Sequence, residues 1–193
     1  MAHYFLDSSA LVKYYHTETG SIEVNRLIHE LNARHYISRL ITVEVASAFA
    51  VKTRTGELDE RDFAPLLRHF LRDVAQRQFQ VLQMTNAHYE AAVEVIEKYF
   101  QRRLRTLDAL HLAVALGPRR RGILDHFVCA DESLCSIAIE EGLSTSTRRS
   151  HRDDMRAIRL ARWPQLQPSA SVVAMPAPHR VVGRARTRRG SAS

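Results

Sequence analysis

No run of apolar residues in this chain is long enough to cross a membrane. The longest aliphatic stretch is "LAVAL" at 112–116, far short of the ~20 residues a spanning helix needs. The N-terminus lacks the basic and apolar segments of a secretory leader, because Asp7 interrupts it. Cysteine is scarce: Cys129 and Cys135 form no C-x-x-C pair and read as small buried thiols of a reducing compartment, not as a disulfide framework. The sequence has no G-x-x-x-x-G-K-[ST] and no G-x-G-x-x-G, which removes the nucleotide-cofactor readings. Its ten histidines contain no H-x-H, H-x-x-x-H or H-E-x-x-H pairing, which argues against zinc. These absences lead us to expect a cytoplasmic protein with no membrane association.

A chain of 193 residues suits one domain with a tail. The net charge of +7 is unevenly spread. Residues 148–193 hold eleven Arg against two acids, giving +9, whereas residues 1–147 hold 17 basic and 19 acidic groups, giving −2. The expected boundary therefore separates a nearly neutral body, 1–147, from a basic Arg/Pro/Ala-rich tail, 148–193. From about Pro164 the tail lacks periodicity and is expected to be disordered. A weak basic helix around Met155, Ile158 and Trp163 is the one element it could form.

Within the body, short apolar runs alternate with helical periodicity. "HYFLDS" at 3–8, "HYIS" at 35–38, "FQVLQM" at 79–84 and "HFVCA" at 126–130 read as strands, with "LSTS" at 143–146 as a short edge strand. Helices are expected over 9–15, 21–33, 41–54, from an Asp59 cap to about 76, from a Thr85 cap to about 99, and from Asp131 to about 141. "TLDALHLAVAL" is apolar nearly all round and so reads as a buried helix, followed by a solvated "RRRG" loop at 119–122. Strands alternating with helices predict a three-layer α/β domain with a central parallel sheet, whose functional sites gather beyond the carboxyl ends of the strands.

Four acids sit in apolar surroundings at such places. Asp7 ends the first strand; Glu44 lies in the first turn of a helix, turned toward Ala48 and Val51; Asp108 is the single acid of the buried helix; Asp131 ends "HFVCA". Each has a simpler reading as a cap or first-turn acid. Asp108 fits that reading least well, since Thr106 is available as a cap. Four carboxylates converging on one sheet edge would repel one another unless a cation neutralised them. An all-oxygen set suits Mg²⁺ or Mn²⁺. Such metals activate water and stabilise phosphoryl charge. Arg39, Arg102, Arg103, Arg105 and Lys13 flank these segments, either as phosphate-steering groups or as surface charge. His111 reads as a packed structural histidine. A phosphatase with a nucleophilic strand-end Asp is a weaker reading, since such sites want a second Asp where this chain has Ser9.

"FLDSSALVKYY", "RLITVEVASAF", "LRTLDALHLAVAL" and "FVCADESLCSIAIEEGL", in this order and spacing, resemble the signature segments of the PIN-domain family, closest to the VapC-type toxins of prokaryotic toxin–antitoxin pairs. The resemblance covers about residues 3–146. It implies an α/β PIN fold and a divalent-metal-dependent endoribonuclease that hydrolyses RNA by metal-activated water. It places the metal-binding acids at Asp7, Asp108, Glu44 and Asp131, and a supporting hydroxyl at Ser8 or Ser9, most plausibly Ser9. It also implies an RNA substrate, a small antitoxin partner and a homodimer. Two features depart from the family pattern: Cys129 stands where many relatives carry Ser or Thr, and the tail lies outside it. The alternative is a PIN-like module that binds RNA or protein with impaired catalysis.

Overall fold

The computed structural model describes residues 1–145. The tail boundary, its expected disorder and the helix considered around Met155 lie outside the described residues. Twelve elements follow one another: β1 (His3–Leu6), α1 (Ser8–Tyr15), α2 (Ser21–Ile28), β2 (Arg34–Ser38), α3 (Ile41–Arg54), α4 (Glu60–Ala75), β3 (Gln80–Leu82), α5 (Asn86–Lys98), α6 (Thr106–Arg120), β4 (His126–Val128), α7 (Glu132–Glu140) and β5 (Ser144–Thr145). All strand pairs are parallel, in the order β3-β2-β1-β4-β5. β1 is thus the central strand, with Phe5 opposite Tyr36 on one side and Phe127 on the other.

Period-two alternation along β1 divides the core. Phe5 points into one cluster with Phe127, Leu112, Val95 and Ile137, beneath α5, α6 and α7. Tyr4 and Leu6 point into the other with Leu11, Val45, Phe49 and Phe70, beneath α1 to α4. Helices on both faces of the sheet make the expected three layers. Each fully buried aromatic contributes roughly 1.5–3 kcal/mol by leaving water, and Phe5 and Phe127 also stack at 5.4 Å between centroids. α6 is buried along most of its length, from Ala109 to Leu116, as its nearly unbroken apolar sequence requires.

The boundaries correct several expectations. α2 ends at Ile28 instead of 33, because a turn closed by Ala33 N–H to Glu30 O and a left-handed Asn32 intervene. α6 begins on Thr106 itself, with Arg105 as its N-cap. It also continues through Pro118 to Arg120, so Arg119 is helical and its Nε donates to the carbonyl of Gly142 at 2.7 Å. Cys129 and Cys135 are not separate thiols but joined as a disulfide. α7 folds its second turn back over the end of β4, which brings their Cα atoms to 6.3 Å, a spacing a disulfide spans. The inference from free thiols to a reducing compartment therefore falls. Among the described residues, no helix is long and apolar enough to cross a membrane.

Candidate active site

β1 is fully buried at Phe5 and Leu6, and the next residue meets the carboxyl edge of the sheet. There Asp7 N–H donates to the carbonyl of Val128 at 2.9 Å, extending the β1–β4 pairing by one step. Asp7 leaves the strand as the N-cap of α1. Its Oδ2 accepts from Ser9 N–H at 3.1 Å and from Ser9 Oγ–H at 2.6 Å. A capping carboxylate is favoured by the orphan amides and the positive end of the helix dipole. Capping accounts for only one of its oxygens. The residue is 4% exposed, and Oδ1 is buried with no partner, which would cost free energy unless something else met it there.

Ser9 does more than cap. Its Oγ also accepts from the backbone N–H of Ala130 at 3.0 Å, which ties the start of α1 to the loop after β4. That loop delivers Asp131, the exposed N-cap of α7, whose Oδ1 accepts from Leu134 N–H at 3.0 Å. Of the two hydroxyls following Asp7, Ser9 is the one that contacts the carboxylate.

Asp108 stands in the first turn of α6, half-buried. Burial holds its carboxyl above the ordinary carboxylate range, and the charge of Asp7, with a smaller contribution from Asp131, pushes the same way against the opposing pull of Arg105. Three acids from β1, α6 and the β4–α7 junction therefore share one electrostatic neighbourhood.

Glu44 joins them indirectly. It faces inward from α3, as its position beside Ala48 predicted, but its Oε2 is hydrogen-bonded to Nε2 of His111. His111 is 1% exposed, and its Nδ1 lies 2.9 Å from Ser38 Oγ at the end of β2. Burial alone would push the imidazole toward its neutral form. The bond to Glu44 and the charges of Asp7, Glu44 and Asp108 outweigh it and raise the pKa. His111 is packed, as the sequence suggested, and it also holds Glu44. The signal for that second role is its place one helical turn after Asp108, on the same face of α6.

The chemistry of this donor set fits a hard divalent cation: every candidate ligand is a carboxylate, one buried oxygen is orphaned, and the charges of Asp7 and Asp131 raise the proton affinity of Asp108. The residues that could hold such an ion are Asp7 and Asp108, with Asp131 and Glu44 nearby. Among the described residues, however, no three His, Cys, Asp or Glu side chains are disposed to hold a metal ion as they stand.

The flanking cations divide into committed and free groups. Lys13 is bound to Glu18 at 2.6 Å and to the carbonyl of Thr19 at 2.8 Å. Arg102 is paired with Glu140 and lies over the Tyr99 ring. Neither is available to steer a phosphate. Arg39 and Arg103 are exposed, with no ion pair among the described residues.

A family profile described as "PIN domain" matches residues 4–124. No curated protein matches the sequence. Among solved structures, the chain is similar to VapBC2 from Rickettsia felis, bound to a DNA fragment from its promoter, with a TM-score of 0.54 and 14% identity over 75% of this chain and 98% of that one. It is also similar to VapC20 of Mycobacterium tuberculosis, described as a sarcin–ricin loop cleaving toxin, with a TM-score of 0.52 and 16% identity over 69% and 93%. FitAcB from Neisseria gonorrhoeae gives 0.54 and 14% over 74% and 95%. At these identities the likeness is one of fold.

Proposed function

Because the chain belongs to the PIN-domain family, we propose that it is a Mg²⁺- or Mn²⁺-dependent endoribonuclease and the toxin of a type II toxin–antitoxin pair. The observation that carries this reading is Asp7: a buried carboxylate at the carboxyl edge of the sheet, with one oxygen anchored by Ser9 and the other unpartnered, beside an Asp108 whose proton affinity it raises. A divalent ion held there would supply a water acidic enough to attack at neutral pH and would offset charge on the phosphoryl oxygens.

The protein's own groups set the stage. Ser9 fixes the rotamer of Asp7 and the height of the Asp131 loop together. His111 keeps Glu44 turned inward, through a bond braced at its far side by Ser38. Arg105 lies beside Asp108 and restrains the rise in its proton affinity. No side-chain nucleophile is required. The phosphatase reading falls with the family assignment.

The partners follow from the same reading. The description of VapC20 as a toxin that cleaves the sarcin–ricin loop supports an RNA substrate. A small antitoxin would hold the protein inactive. A homodimer is supported by Tyr89, Val93, Ile96 and Phe100, which form an exposed apolar row along α5 and just past its end at the spacing of one helical face. The site of action in this reading is the cytoplasm, where the RNA substrate and the antitoxin would meet the protein.

Purified full-length protein incubated with RNA should cleave it with added Mg²⁺ or Mn²⁺ and not in EDTA, and Asp7→Asn and Asp108→Asn should each lose at least about a hundredfold in rate. Full activity in either variant, or in EDTA, would refute the metal mechanism. A second reading, a PIN-like module that binds RNA or protein with impaired catalysis, draws on Glu44 being engaged with His111 and on the absence of a ready-made ion site among the described residues. RNA binding without cleavage under every metal condition would favour it.

A further inference from the structure

A groove of about 650 Å³ runs along the outer edge of β3, and none of the four acids enters it. Among the described residues, β3 is the last strand on its side of the sheet, paired only to β2. Phe79, Val81 and Val74 line the groove, Gln80 and Gln83 stand along it, and an arginine marks each end of the strand. Arg39 lies at the carboxyl end, where its N–H donates to Leu82 O at 2.9 Å. Arg77 lies at the other end, in the turn between α4 and β3, with a left-handed backbone at φ 62°. A non-glycine residue rarely adopts that conformation.

Three observations indicate what the groove takes. Its charge is of one sign: no acid lines it, and neither Arg39 nor Arg77 is ion-paired among the described residues. Its Arg39 end is tied to the acids through the interior: Arg39 directly follows Ser38, which is hydrogen-bonded to His111, which holds Glu44. Its length also fits. From the register of Leu82 down to Gln80 and the turn beyond, the strand rise of ~3.3 Å per residue spans about 10 Å, the length of two to three stacked nucleotides at ~3.4 Å each.

We propose that this groove holds the single-stranded RNA flanking the phosphodiester to be cut, with Arg39 and Arg77 on backbone phosphates and Gln80 and Gln83 facing the bases. The inference rests on the ribonuclease reading and deepens it: the groove would select the RNA, while the acids would cut it. Unpaired bases are what proteins read in RNA, through side-chain amides and stacking on flat apolar or guanidinium surfaces. A charged channel that tracks the backbone provides the grip.

The test is fluorescence anisotropy of a labelled, mixed-sequence single-stranded RNA against full-length protein, in EDTA to prevent cleavage, over a series of salt concentrations. Arg77→Asn removes the charge while keeping a residue that tolerates the left-handed backbone, so the fold is preserved; Arg77→Lys restores the charge. One lost phosphate contact on a single strand lowers the slope of log K against log salt by about 0.7, which is about a fourfold loss of affinity near 0.15 M salt. We expect that loss in Arg77→Asn and its recovery in Arg77→Lys. An unchanged slope in Arg77→Asn overturns the proposal, and is the result expected if the groove instead receives a peptide strand along the open edge of β3. The ribonuclease reading fails separately, if wild-type protein binds this RNA with an arginine-dependent slope but does not cut it with Mg²⁺ or Mn²⁺.

Discussion

Replacing Ser9 by alanine separates a positioning hydroxyl from a helix-start residue that happens to be polar. In Ser9→Ala, Asp7 Oδ2 loses the 2.6 Å bond from Oγ and keeps only the amide bond at 3.1 Å. Asp7 is buried, so water does not readily replace the lost donor. Hydrogen bonds to charged groups are worth about 1.5–3 kcal/mol, and we take ~2. The amide of Ala130, which also loses its acceptor, is at the surface and is rehydrated at little cost. Alanine is the better helix former by roughly 0.4 kcal/mol, leaving a net loss of about 1.5 kcal/mol. For a domain of this size that corresponds to a Tm lower by roughly 3–6 °C. Ser8 is the internal control. It is the first residue of the same helix, but its hydroxyl makes none of the bonds that reach Asp7, so Ser8→Ala should be neutral or slightly stabilising. Urea unfolding of both variants, with equal m-values, checks the comparison. If Ser8→Ala costs as much as Ser9→Ala, or if Ser9→Ala costs less than about 0.5 kcal/mol, the account of how Asp7 is held is wrong.

Asp108→Asn should stabilise the protein at neutral pH even as it removes activity. Its raised pKa means the folded state holds the proton longer than the unfolded chain, so stability falls as pH rises from the unfolded value near 3.8 through the folded one. The difference between variant and wild type in urea midpoint should therefore vanish at the acid end and open above it; a difference independent of pH contradicts the electrostatic origin. Val93→Glu, in the middle of the exposed row on α5, should convert a dimer to a monomer in light scattering with little change in Tm, since Val93 is 55% exposed in the single chain. A dimer that survives this charge would place the interface elsewhere.

Much of the fold can be read from local pattern because the pattern matches the period of each element. The 41–54 helix, the Asp59 and Thr85 N-cap positions and the parallel strands all follow from residue spacing and caps. The errors fall where a long-range contact overrides the local signal. Arg119 looks like loop, yet its bond to the carbonyl of Gly142 lies with the last turn of α6. The C-terminal half of the expected 21–33 helix yields to the turn that returns the chain to β2. The four acids stood out as charges in apolar company, and three of them share one neighbourhood. The bond from His111 to Glu44 was harder to see, because it joins residues 67 positions apart and His111 is not unusual in its own segment. The cysteines misled for a similar reason: their spacing carries no motif, and only the fold of α7 over β4 brings them together.

The strand order has a consequence for how the protein is made. β1 is made before every other described element, yet its partner β4 begins only at His126, so residues 7–125 must leave the ribosome before the centre of the sheet can close. At about 5–20 residues per second, β1 waits roughly 6–24 s with one backbone edge unpaired. During that time Asp7, Glu44 and Asp108 already exist, but the carbonyl of Val128 and the amide of Ala130, which seat Asp7 and Ser9, do not. Whatever chemistry the acids perform is withheld until the first 131 of the 193 residues have been made, and a product terminated between Asp108 and Val128 carries three of the four carboxylates without the edge that arranges them.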